Sequence, residues 1–156
     1  MHIIYHCYGG AHSSVTAAAI HTRLLSENTI PSGEELLKLP YYDLQVAEDH
    51  GYIRYMGQDE KQNNVYITSK HNLGKSYETI MRSVAEIAGL PQDELVFIDT
   101  MPYVNVLMMI GGYLSRRLGW VRIGRPIVIM GTKLAFPKFS QLVNIVKTKD
   151  IRLGAK

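Results

Sequence analysis

The chain has 156 residues, 46% hydrophobic and 20% charged, with a formal net charge of +3. That length predicts one domain over residues 1–156 with a core of its own, and the mild charge lacks the basic stripe of a dedicated nucleic-acid binder. A single cysteine excludes an internal disulfide, and with no signal-type leader and no apolar run of ~18 residues the expectation is a cytoplasmic protein without a membrane partner.

In chain order, His2 to Thr16 reads as a strand entering a glycine turn and then a helix. Ile3-Ile4-Tyr5 lead to His6-Cys7-Tyr8, then Gly9-Gly10-Ala11-His12-Ser13-Ser14, then an alanine-rich run. The helix is expected from about Ser13 to Leu25, with Ser13 or Ser14 as N-cap. Ser32-Gly33-Glu34-Glu35 fits a capping box opening a short helix that Pro40 stops. A second short helical piece is expected to end near His50-Gly51. Tyr52 to Met56 and Asn64 to Thr68 read as the strands of a hairpin. Tyr77, Ile80, Met81, Val84 and Ile87 form a helical stripe closed by Gly89 and Pro91. Leu95 to Asp99 has the look of a buried parallel strand. Tyr103 to Leu118 is helical by length, with Gly111-Gly112 inside it marking close packing or a bend. Pro126 to Met130 reads as a further buried strand, Phe139 to Val146 as the last helix, and Ile151 to Lys156 as a fraying end. The alternation predicts an α/β fold, a three-layer sandwich with a mostly parallel sheet that opens on a P-loop-like or Rossmann-like strand–turn–helix.

Ligands in such sheets gather beyond the carboxyl ends of the strands. Three ends are predicted: Cys7 with the Gly9 to Ser14 turn, Asp99-Thr100 with Asn105, and Gly131-Thr132-Lys133. Glycines let backbone N–H groups converge, and a helix N-terminus adds free donors and partial positive charge. A phosphate-bearing small molecule is the expected partner, held by Gly9, Gly10, Ser13, Ser14, Asn105, Thr132 and Lys133. Cys7 is the candidate nucleophile, with His12 as proton carrier and Asp99 as carboxylate. The other reading of Cys7 is a small buried residue under the first turn. The Gly9 to Ser14 turn has no Gly-Lys-Ser/Thr of its own, and Lys70, Lys75 or Lys133 could reach it only from elsewhere in the chain, which argues against a Walker site there. Adjacent His6 and Cys7 point to opposite faces of a strand, so no metal site is predicted, and no cofactor is identified. Arg116, Arg117, Arg122 and Arg125 read as a solvated helix end, or as a second anion surface if they fold toward the sheet edge. A non-catalytic binding or regulatory module using the same turn is the alternative function.

The spacing Cys7-x-x-Gly10-x-x-Ser13-Ser14 resembles the phosphate loop of sugar-phosphotransfer IIB components. Cys7, Gly9 and Ser14 also resemble the low-molecular-weight tyrosine phosphatase loop, except that Ser13 stands where that loop has its phosphate-clamping arginine. Over nearly the whole length, a set of phrases resembles an uncharacterised Firmicutes domain family. They are Tyr5-His6-Cys7-Tyr8-Gly9-Gly10-x-His12-Ser13-Ser14, Leu39-Pro40-Tyr41-Tyr42-Asp43, Gly57-x-Asp59-Glu60 with Val65-Tyr66, Asp99-Thr100-x-Pro102-x-Val104-Asn105, Ile110-Gly111-Gly112-x-Leu114-Ser115-Arg116 and Ile123-Gly124-Arg125-Pro126. The resemblance implies a bacterial cytoplasmic domain and carries no mechanism. Gln62 stands where the resemblance leads one to expect glycine in the hairpin turn.

Overall fold

The structure is a computed structural model that describes residues 1–148; the expected fraying of Ile151 to Lys156 lies outside the described residues. Four strands, β1 (His2–Cys7), β2 (Arg54–Gln58), β3 (Asn64–Ser69) and β4 (Leu95–Asp99), form one mixed sheet in the order β2-β3-β1-β4. β1 runs parallel to both β3 and β4, and β2 is antiparallel to β3. The helices are α1 (Ser13–His21), α2 (Gly33–Lys38), α3 (Ser76–Ile87), α4 (Val106–Gly112) and α5 (Val121–Thr148), with a π-helical turn over Tyr113–Arg117. The fold class is therefore α/β, as the alternation of patterns predicts. Among the described residues, no helix is long and apolar enough to cross a membrane.

β1 is buried on both faces, and its side chains alternate between two cores. Ile3 and Tyr5 join α1, α5 and Leu36 of α2 in the main core, whose largest enclosed side chains include Phe136 and Phe139. Ile4 faces the other way, onto Ala85 of α3 and Leu95. The period of two that defines a strand thus splits this segment between α1 and α3.

Most expected elements are present with shifted ends. The Ser32 capping box forms, with Glu35 N–H donating to the Ser32 hydroxyl at 3.2 Å and Ser32 N–H donating to the Glu35 carboxylate at 2.7 Å. α1 stops at His21 rather than Leu25, and its N-cap is His12, whose side chain makes no capping bond; neither Ser13 nor Ser14 is the cap.

The strand expected over Pro126 to Met130 is a correction: that segment lies inside α5. Its β-branched residues suggest a strand, but the buried positions Gly124, Val128, Gly131, Ala135, Phe139, Leu142 and Val146 recur every three or four residues. That period is helical, and packing overrides the local β preference. Pro126 and Pro137 both lie on the solvent side, where water can take up the carbonyls their missing N–H groups leave free.

Close approach of α4 to α5 explains the glycines there. A Cβ on Gly111 would sit 2.3 Å from the Val128 nitrogen, and one on Gly124 would sit 2.3 Å from the Ser115 nitrogen. Gly124→Ala is expected to destabilise the fold by about 1–3 kcal/mol through overpacking, read as a lowered melting temperature.

The hairpin turn is tied to α1 by buried polar groups. The Tyr5 hydroxyl lies 2.7 Å from His21 Nδ1, and His21 Nε2 lies 3.1 Å from Asp59. Asp59 also accepts from Lys61 and Asn63 N–H at 2.9 and 2.8 Å, which closes the turn. Burial pushes the His21 imidazole below its ordinary pKa, and Asp59 only partly opposes this. Gln62 in this turn has φ of 62°, a left-handed conformation that costs a non-glycine residue about 1–2 kcal/mol. Gln62→Gly relieves that strain but adds freedom to the unfolded chain, so a net gain of about 0.5–1 kcal/mol is expected in urea unfolding.

Candidate functional site

β1 delivers Cys7 to the carboxyl edge of the sheet, and Gly10 bends the chain back toward α1. Gly10 has φ of 66°, and a Cβ there would lie 3.2 Å from the Ser69 nitrogen, so only glycine lets the turn sit this close to β3. Gln45 Nε2 donates to the Gly10 carbonyl and holds the turn from outside. Gly9 faces open space. Cys7 is buried: Gly10 N–H donates to its sulfur at 3.1 Å, and the Ser14 hydroxyl lies 3.2 Å from it. The Ser13 hydroxyl accepts instead from Thr100 Oγ1 at 2.9 Å, pinning the first turn of α1 to the end of β4.

Next to this turn lies a buried ion cluster. Asp43 is fully enclosed, and its backbone N–H donates to the Ala11 carbonyl of the turn at 3.0 Å. His12 Nε2 lies 3.1 Å from Asp43 Oδ1, and the Ser115 hydroxyl donates across both carboxylate oxygens at 2.8 and 2.9 Å. Arg116 Nε lies 3.0 Å from Oδ1 and Arg125 Nε donates to Oδ2 at 2.7 Å. Burial alone would push the Asp43 carboxyl up, but hydrogen bonds from His12, Arg125 and Ser115 outweigh it and hold it at about 2.

Several local features bring these groups together. Tyr41 and Asp43 both adopt left-handed backbone, with φ of 68° and 52°. Between them the Tyr42 hydroxyl bonds Thr132 Oγ1 at 2.7 Å, and its ring packs edge-on against His12. A Cβ on Gly112 would come within 3.2 Å of the His12 ring, so the glycine leaves room for the imidazole. The π-helical turn presents Ser115 and Arg116 together to the carboxylate, and such turns often mark functional sites.

The expected site residues therefore fall into separate places. Cys7, Gly9, Gly10, His12, Ser13 and Ser14 share the turn. Cys7 and Asp99 close adjacent parallel strands, but the register pairs Asp99 with His6, on the face opposite Cys7. There Asp99 binds Lys70 Nζ and the Met101 N–H. Asn105 caps α4, accepting from Met108 N–H at 3.0 Å and donating to the Gly131 carbonyl at 2.8 Å. Gly131-Thr132-Lys133 is not a strand end: Thr132 is buried in α5 and Lys133 is exposed. The sequence alone does not mark Asp43, Tyr42 or Ser115 as site residues, and Arg116 and Arg125 turn toward Asp43 instead of forming a fully solvated helix end. Their signal was present only as the phrases around Tyr42-Asp43, Ser115-Arg116 and Gly124-Arg125, which the fold gathers at one point.

These features describe an α/β protein with a glycine turn and a buried arginine–carboxylate cluster at one edge of its sheet. The chain belongs to the family described as a protein of unknown function, DUF3189, whose model matches residues 2–148. No curated protein and no solved structure matches it.

The folded Asp43 carboxyl titrates below its unfolded value, so its contribution is complete above pH ~4 and disappears as pH falls through ~2. The shift corresponds to about 2 kcal/mol. Stability against urea measured from pH 5 to pH 2 should fall by at least that amount in the wild type, since Asp59 is also held below its ordinary pKa. Asp43→Asn should lose about 3–5 kcal/mol at neutral pH, because Arg116 and Arg125 would then face one another without their counter-charge.

Proposed function

We propose that the β1–α1 turn, together with Arg116 and Arg125, binds a phosphate-type anion such as that of a nucleotide or phosphorylated small molecule. The observation that carries this reading is the pair of guanidinium groups held through Nε on buried Asp43, beside the turn that His12 belongs to. An arginine anchored through Nε keeps two Nη groups as paired donors, the arrangement that suits phosphoryl oxygens. Both arginine side chains stay partly exposed although they turn toward Asp43. Ser13 leaves the turn without the arginine of a phosphatase loop, and on this reading residues 116 and 125 supply that charge from the other half of the chain. The uncapped N-terminus of α1 adds backbone donors to the same region.

Topology supports the same place. After β1 the chain turns to α1 on one face of the sheet, and after β3 it turns to α3 on the other. Crevices that take ligands open where successive connections part in this way. The strand–turn–helix then acts as a P-loop-like or Rossmann-like cradle in a three-layer sandwich.

The burial of Cys7 favours a ligand-binding or regulatory module over a covalent step in which Cys7, His12 and Asp99 act as a catalytic set. Iodoacetamide is therefore expected to label Cys7 slowly in the folded protein and quickly in urea. Fast labelling of the folded protein that phosphate slows would restore Cys7 as a nucleophile.

Calorimetric titration with inorganic phosphate, a nucleoside monophosphate and a hexose phosphate tests the site. Replacing Arg125 by Gln should weaken binding at least ~10-fold, as expected when a charge-assisted bond worth about 1.5–3 kcal/mol is lost. Equal affinity in wild type and variant, with melting curves showing both folded, would leave the turn as a connector.

A further inference from the structure

Charge is divided unevenly along this chain. Thirteen of its 14 acidic residues precede position 100, and no Asp or Glu occurs from Thr100 to Lys149, a stretch that carries eight Lys or Arg. The π-helical turn and the start of α5 lie in that stretch, and these two elements with the turn that joins them expose large apolar side chains. Tyr113 is 56% exposed, Leu118 42%, Trp120 58% and Ile123 56%. Gly119, at φ of 71°, reverses the chain between Leu118 and Trp120. Arg117 and Arg122 flank this tip and are exposed. Isolated apolar residues on a surface need no explanation, but a grouped set with exposed arginines beside it marks an interaction surface.

We propose that the Leu118–Ile123 tip docks on an anionic lipid bilayer, lying in the headgroup region without spanning it. The charge selects a negatively charged partner, and the side chains select an interface between water and hydrocarbon. Trp and Tyr favour that boundary because their rings are apolar and their N–H or O–H groups stay hydrated. Arginines beside them meet anionic headgroups, each worth about fivefold in affinity at low salt. A second copy of the chain meets this face poorly, because an isologous pairing centred on the tip would set Arg117 and Arg122 against their own copies. The proposal stands apart from the anion site, since it uses neither Asp43 nor the arginines bound to it.

Trp120 is the only tryptophan in the chain, so its emission reports on the tip directly. The full chain is mixed with vesicles of phosphatidylcholine alone or of equal phosphatidylcholine and phosphatidylglycerol, and followed by co-sedimentation and Trp120 fluorescence. Binding is expected only to the mixed vesicles, with a blue shift of the emission and release as salt is raised. Replacing both Arg117 and Arg122 by Glu should lower the vesicle affinity by at least about 25-fold, with circular dichroism confirming the fold. Unshifted emission with phosphatidylglycerol vesicles at low salt overturns the proposal, whether or not the protein sediments. A blue-shifted emission and doubled mass without vesicles overturns it in favour of a second copy.

Discussion

The Asp43 carboxylate is enclosed by protein and still carries its charge, and much of the structure is arranged to make that possible. Removing an ion from water costs several kcal/mol even after the surroundings relax. Here the compensation comes from three distant parts of the chain: His12 after β1, Ser115 and Arg116 in the π-helical turn, and Arg125 in α5. None of the three would be drawn to this point by apolar burial alone. The carboxylate thus fixes how the glycine turn, the α4 end and α5 meet, and the cost of any misalignment is a bare buried charge.

The backbone around Asp43 is strained to the same purpose. Two non-glycine residues in left-handed conformation, Tyr41 and Asp43, cost on the order of 1–3 kcal/mol each. The Tyr42–Thr132 bond and the Asp43 N–H bond to Ala11 hold the segment in that shape. Glycines complete the arrangement. With side chains at Gly111 or Gly124, α4 could not approach α5, and Ser115 and Arg125 would no longer share one carboxylate. Helix packing, backbone strain and buried charge are in this sense one constraint.

How much of this was legible in the sequence depends on the range of the signal. Local chemistry spoke clearly: the Ser32 capping box, the Gly89 stop after α3 and the run from Leu95 to Asp99 all formed. Pro126 to Met130 misled because five residues are too short to separate a buried strand from a helix, and only the repeat extending from Gly124 to Val146 resolves it. The Asp43 cluster was hidden for another reason. A lone aspartate after two tyrosines has no periodic or motif signature, and its partners lie 31 to 82 residues away. Arg116 and Arg125 carried the matching signal, but sequence spacing alone made a solvated helix end the simpler account.

The alternation of β1 also limits what the sheet edge can do. Tyr5 and Cys7 face α1, whereas His6 faces α3, and β4 is in register so that Asp99 accompanies His6. On that second face Asp99 lies 3.7 Å from His6 Nδ1 and binds Lys70, while the His6 ring packs 4.7 Å from Tyr77. Burial lowers the His6 pKa, and the Asp99 charge opposes it. Two polar groups of residues therefore end on the same sheet edge with a strand's thickness between them. Consecutive residues of a strand cannot turn to one face without breaking the ladder that Cys7 and His6 both belong to. A ligand seated on the glycine turn would meet His12 and the Asp43 arginines, and the carboxylate best placed to order that site is Asp43 rather than Asp99.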